Sequence, residues 1–152
     1  METDKPIVIV THHFESSREQ VFDAWLDPKL IAQWMIGLTD ADEEMLSVSV
    51  NARVGGRFSF VVRRSGQLID HVGQYLELVR PQRLAFTWGV APETGDKSRV
   101  TIDLVPLGNG TELTLTHEMD PEWASYAKQT RQGWAAILAA VERTVTAAAA
   151  AQ

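Results

Sequence analysis

The sequence contains no cysteine, which excludes a disulfide framework, thiol catalysis and thiolate metal sites and fits a reducing compartment. No apolar run approaches the roughly 20 residues of a membrane span, and Met1–Lys5 has no apolar core behind a basic region. The chain is therefore expected to be untargeted, cytoplasmic and without a membrane partner. Positive charge is scarce: the net charge is −6 and the only basic cluster is Arg63-Arg64, so the footprint that phosphate-backbone binding needs is missing and nucleic acid is not an expected partner. Catalytic signatures are missing as well. There is no HExxH spacing and no phosphate-binding glycine loop; Ser16-Ser17 and Ser98 lack a nucleophile elbow, and Glu43-Glu44 reads as part of a polar loop. No cofactor is implied.

What is present is enough chain, 152 residues with 45% hydrophobic content, for one domain with a proper core. That domain spans 1–152, its core running from about 7 to about 146, and the alanine run at its end is expected to fray. Asp120-Pro121 through Ala147 reads as one long amphipathic helix. Asp120 caps it, Pro121 suits its first position, and Trp123, Ala127, Thr130, Trp134, Ile137, Leu138, Val141 and Val145 follow three-and-four spacing. A helix of roughly 25 residues is about 38 Å long. With no other long helix to meet it, its partner is expected to be a broad sheet.

The rest of the chain supplies that sheet. Ile7–Phe14 is β-branched and apolar on both faces, as in a strand covered on each side or an edge beside a helix. Ser17-Arg18-Glu19-Gln20 has the capping-box pattern ahead of Val21, Phe22, Trp25 and Leu26; Asp27-Pro28 starts a second short helix carrying Leu30, Ile31 and Trp34. From Glu44 the period becomes two. Strands are expected at Met45–Val50, after Gly55-Gly56 through Phe58, Phe60 and Val62, along Gln67–Val79 beyond a Ser65-Gly66 turn, and through Leu84, Phe86 and Trp88 up to the loop Ala91–Lys97. A kink or bulge is expected at Gly73. Val100, Ile102 and Leu104, then Asn109-Gly110, then Leu113 and Leu115 form the strongest hairpin signal in the chain. Asn109-Gly110-Thr111 also matches the glycosylation acceptor pattern, but no secretion signal accompanies it. The order is strand, two short helices, six strands mostly joined by hairpins, and one long helix, an α+β domain with an antiparallel sheet that buries one face.

Those residues carry a family resemblance. Phe14 through Trp34, with Val21-Phe22-Asp23-Ala24-Trp25 and Asp27-Pro28, resembles the opening of the START-like (SRPBCC) superfamily, in its activator of Hsp90 ATPase homologue 1-like branch. Gly55-Gly56-Arg57-Phe58, Gly73–Glu77, Arg83–Trp88, Gly110–Glu118 and Gly133-Trp134 through Leu138 follow in that family's order, so the resemblance covers roughly residues 7 to 145. It implies a helix-grip fold, a curved antiparallel sheet wrapped around the C-terminal helix, with two short helices after the first strand and an apolar cavity between sheet and helix. Members bind lipids, sterols, polyketides and other apolar small molecules, and a few are cyclases or hydrolases. The branch takes its name, and its link to stress response, from a eukaryotic co-chaperone in which a separate N-terminal domain does much of the stimulation; no such second domain is expected here.

The candidate site residues follow from alternation. His117 shares a face with Leu113 and Leu115, so its imidazole is expected to point inward, as a general base, a ligand hydrogen-bond donor or a histidine satisfied at the sheet's rim. Either His12 or His13 must face inward; Phe14 favours His12. A His12–His117 pair with His71 is a thin basis for a metal site, and no metal is expected. Asp70 and His71 lie on opposite faces of one strand and are acid/base candidates beside His117, or solvated residues at its open end. Phe58, Phe60, Phe86 and Trp88 on the concave face, Trp34 at the mouth and Trp134 on the helix are expected either to line a pocket, where flat rings suit flat ligands, or to fill the core.

Three functional readings result. The first is binding of a hydrophobic or aromatic small molecule between sheet and helix. The second is a polyketide cyclase or hydrolase-type enzyme using His117 with Asp70 or His71. The third is an interaction module, a chaperone regulator or homodimer, that buries Trp34, Met35 and Leu38 against a partner.

Overall fold

The computed structural model describes residues 6–36, 42–93 and 96–150. Strand β1 (Ile7–Phe14) leads into α1 (Arg18–Ala24), where Ser17 and Gln20 exchange the two hydrogen bonds of a capping box, and into α2 (Pro28–Trp34), capped by Asp27 through the Lys29 N–H. The Trp34 indole donates to the Ala24 carbonyl at 2.9 Å and so ties α2 back onto the end of α1. β2 (Glu43–Val50), β3 (Arg57–Arg64) and β4 (Gln67–Val79) follow as antiparallel neighbours. Glu43 and Glu44, expected in a polar loop, open β2 instead and pair across it with Arg64 and Arg63.

The remaining strands are β5 (Arg83–Thr87), β6 (Gly89–Val90), β7 (Arg99–Leu107) and β8 (Gly110–Glu118). The antiparallel path through the sheet is β1-β8-β7-β5-β4-β3-β2, with the two-residue β6, absent from the sequence reading, pairing β4 beside β5. Pairing runs Tyr75 to Phe86 and Val72 to Gly89, so β5 and β6 are two parts of one run interrupted at Trp88. Opposite that interruption sits Gly73, where a Cβ would lie 2.0 Å from the Thr87 carbonyl oxygen and 2.4 Å from the Phe58 ring. Gly73 therefore admits a close backbone approach and a ring laid over the strand. The register shift itself comes later, between Tyr75 and Glu77, and His71, Gly73 and Tyr75 stay on one buried face.

The last hairpin turns one residue earlier than expected. Leu107 pairs with Gly110, so the turn is Gly108-Asn109, with Gly108 at φ +60° supplying the positive φ at its first position.

The C-terminal helix is also modified. Asp120 caps as expected, but Pro121–Tyr126 forms a 3-10 segment, and α3 proper is Ala127–Ala150. Three residues per turn in place of 3.6 throws the apolar stripe out of phase, which leaves Trp123 and Tyr126 exposed. From Trp134 onward Ile137, Leu138, Ala140, Val141 and Val145 are buried against the concave face, where Phe58, Phe60, Val62, Leu84, Phe86, Ile102, Leu113 and Leu115 complete the core. Each large apolar side chain buried there contributes roughly 1.5–3 kcal/mol. Trp34 and Met35, read as partner-facing in an interaction module, are buried in the fold because the α2 face that carries them packs inward, and Leu38 lies outside the described residues. Among the described residues, no helix is long and apolar enough to cross a membrane.

Candidate functional site

Because α3 reaches the core only from Trp134, its first turns and the 3-10 segment stand away from the sheet. Between them and the sheet end formed by Trp88, β6 and the last residues of β8 lies an open cleft of about 1010 Å3. Its walls include Trp88, Trp123, Tyr126, Trp134 and Ile137, with His71, Ser98 and His117 among its polar lining. Gly133 faces this space: a Cβ built on it meets nothing within 4 Å. The glycine leaves the cleft open and is not a point of close approach between helix and sheet.

Three side chains in the cleft form one hydrogen-bonded chain. The Trp134 indole N–H donates to His117 Nδ1 at 3.0 Å, and His117 Nε2 lies 2.5 Å from Ser98 Oγ. An indole nitrogen only donates, so Nδ1 holds the lone pair and the proton of the neutral ring is on Nε2, where it is given to Ser98. Burial lowers the His117 pKa to about 4, so the ring is neutral at pH 7. Ser98 Oγ accepts from the ring, and its own proton is left to donate elsewhere. In this arrangement His117 does not take a proton from Ser98, because the nitrogen facing the hydroxyl already carries one.

His71 presents the opposite polarity. Its Nδ1–H donates to the Phe60 carbonyl at 3.2 Å, which leaves Nε2 as its remaining acceptor, and its ring lies 5.4 Å from that of Trp88. Burial lowers its pKa, against the Phe60 hydrogen bond, which favours the protonated ring; the Arg64 charge adds to the lowering. Arg64 also lines the cleft but is held by the Glu43 carboxylate through Nε and Nη2 at 3.0 and 2.9 Å.

A family model described as "Activator of Hsp90 ATPase homolog 1-like protein" matches residues 15–146. The chain belongs to this family. No curated protein matches it. Among solved structures it is similar to a protein from Chromobacterium violaceum, 26% identical over 91% of this chain and 96% of that one, with a TM-score of 0.72. It is equally similar in sequence to an AHSA1-like protein from Aeromonas hydrophila, 26% identical over 94% of each chain with a TM-score of 0.78. A protein from Nitrosomonas europaea, 18% identical over 99% of each chain with a TM-score of 0.79, shares the fold. The helix-grip architecture of this AHSA1-like chain is thus that of START-like proteins.

Within the AHSA1-like domain the residues singled out from the sequence fall into separate places. Trp88, His71, His117 and Trp134 come together at the cleft. Trp34, Phe58, Phe60 and Phe86 lie deeper, in an aromatic cluster that encloses a void of only about 10 Å3; Phe58 and Phe60 stack at 4.8 Å, and Trp34 meets Phe60 edge-on at 6.4 Å. His12 is the member of its pair on the helix-facing side, as Phe14 suggested, while His13 is exposed. His12 does not reach the cleft; its Nε2 lies 2.6 Å from Glu142 on α3. Asp70 is on the other face of β4 from His71 and accepts from Ser59 Oγ at 2.6 Å, so it does not join the histidines. Among the described residues no three His, Asp or Glu side chains gather as a metal site.

Ser98 is the residue that sequence reasoning passed over. Half of the signal for it existed: Ser98 precedes Val100, Ile102 and Leu104 in the inward alternation of β7, but a turn at Asn109-Gly110 sets His117 opposite Ile102, and only the observed pairing of Val100 with His117 brings Ser98 diagonally across from the imidazole.

Proposed function

We propose that this AHSA1-like domain binds an apolar, ring-bearing small molecule in the cleft between the start of α3 and the end of β8, oriented by a hydrogen bond from the Ser98 hydroxyl. The observation that carries this reading is the Trp134–His117–Ser98 chain at the wall of a cleft of about 1010 Å3. Binding sites for small molecules combine apolar and aromatic walls with a few fixed polar groups. Here Trp88, Trp123, Tyr126 and Trp134 supply ring faces, Ser98 a donor and His71 an acceptor. A ligand that suits all of them has a flat apolar body, one acceptor such as a carbonyl or ether oxygen, and one donor such as a hydroxyl. Neutral histidines spare an apolar guest the cost of lying against buried charge.

Native mass spectrometry of the protein isolated from its own cells is the direct test. A retained small-molecule mass that is reduced in Ser98→Ala and lost in Gly133→Phe supports the reading. Bare protein alone, together with no change in tryptophan fluorescence on titration with a panel of aromatic carbonyl and hydroxyl compounds, contradicts it.

A further inference from the structure

The cleft holds two hydrogen-bonding stations of opposite polarity, and the sheet register sets them apart. Thr87 pairs with Arg99, so the next residue of each run, Trp88 and Ser98, stand next to one another on the concave face. His71 pairs with Val90 on the other side of the same run. The β5–β6 run thus separates β4 from β7, which puts His71 and Ser98 about 10 Å apart at the backbone, two interstrand spacings. Aromatic rings line that distance: His71 lies 5.4 Å from Trp88, Trp88 5.1 Å from Trp134, and Trp134 5.9 Å from His117, whose Nε2 holds Ser98. A hydrogen bond spans only about 3 Å. No single polar atom of a guest serves both stations.

Each station is also incomplete. His71 gives its Nδ1–H to the Phe60 carbonyl, and its Nε2 has no partner among the described residues yet, in contrast to Trp25 Nε1, is not sealed from solvent. That nitrogen carries a lone pair and only accepts. Arg64, the cation beside it, is engaged by Glu43. At the other end Ser98 Oγ takes the His117 proton and has its own left to give. We infer that the cleft selects molecules with an acceptor at one end of a flat scaffold and a hydroxyl or N–H at the other, laid along Trp88 with the acceptor at Ser98 and the donor at His71. This rests on the function proposed above and adds the order and separation of the ligand's polar groups. An ether oxygen at the His71 end sets lone pair against lone pair, and a molecule whose two polar groups are adjacent reaches one station only.

Isothermal titration calorimetry of the intact protein with three naphthalenes tests the inference. In 6-acetyl-2-naphthol the ketone and the hydroxyl are at opposite ends, in 2-acetyl-6-methoxynaphthalene an ether replaces the hydroxyl, and in 1-acetyl-2-naphthol the two groups are side by side. The first is expected to bind the wild type at least tenfold more tightly than either of the others. His71→Phe is expected to abolish the preference for hydroxyl over methoxy, whereas Ser98→Ala weakens both ligands and leaves that preference in place. Equal wild-type affinity for the hydroxy and methoxy compounds, or for the two acetylnaphthols, overturns the inference and leaves the cleft reading standing. A preference for hydroxyl that survives His71→Phe overturns it as well. Binding of none of the three contradicts the cleft reading itself, and the inference falls with it.

Discussion

Trp134 and His117 meet at the seam between α3 and β8, the indole N–H donating to Nδ1 at 3.0 Å with the two rings edge to face at 5.9 Å. This contact fixes the imidazole tautomer, and the tautomer fixes the direction of the Ser98 hydroxyl. Trp134→Phe keeps most of the packing and removes the donor. Nitrogen-15 spectra of His117 are expected to show the Nε2–H form alone in the wild type and a mixture of both tautomers in Trp134→Phe. Stability should fall by about 1 kcal/mol for the lost hydrogen bond. Mixed tautomers in the wild type would contradict the assignment.

His117 also sets a pH dependence. Its folded pKa of about 4 lies below the ordinary value of 6.5, so the unfolded chain binds the proton more readily than the folded one. The stabilisation is complete above about pH 6.5 and is lost as the pH falls from there towards 4. The span corresponds to about 3 kcal/mol, and His71, lowered by burial as well, acts in the same direction. Urea unfolding is expected to show a marked drop in stability between pH 7 and 4.5. His117→Gln, whose amide can still accept from Trp134 and donate to Ser98, should flatten the profile. A wild-type profile already flat over that range would refute the neutral buried imidazole.

The two glycines on either side of the core predict opposite effects. Gly73→Ala places a methyl 2.0 Å from the Thr87 carbonyl oxygen and against the Phe58 ring, so backbone must move. A loss of about 3 kcal/mol or more is expected, at the upper end of overpacking costs. Gly133→Ala meets open space in an exposed helical turn and should stabilise by about 0.8–1 kcal/mol, the helix-propensity difference. Paired thermal melts check both signs.

Local chemistry made much of this fold legible. Ser17 with Gln20 and Asp27 with Pro28 announced both short helices, and alternation along β8 put His117 on the face of Leu113 and Leu115. The site was less legible, and the reason is a turn placed one residue earlier than the sequence suggested, which moves the pairing of β8 on β7 by two residues. With the turn at Asn109-Gly110, His117 would stand opposite Ile102, well away from Ser98. Gly108 takes the first turn position instead, His117 stands opposite Val100, and Ser98 comes within hydrogen-bonding distance. The stripe on the last helix misled in a similar way. Trp123 fits a 3.6-residue period, but the 3-10 segment turns it out of the core and towards the cleft. Whether an aromatic lines space or fills it was not readable from spacing at all. Phe58, Phe60 and Trp88 all come from the concave side of the sheet, and only the break at Trp88 sets that ring between cleft and core.

A small molecule bound as proposed sits in the open space in front of Gly133. The most direct measurement is a tryptophan-fluorescence titration with 2-naphthol of the wild type beside Gly133→Leu, whose side chain fills that space from an exposed turn and leaves the core untouched. Saturable quenching is expected in the wild type, with at least a tenfold weaker response in Gly133→Leu at equal thermal stability, about 1.4 kcal/mol of binding free energy. Equal affinity in the two proteins would contradict it.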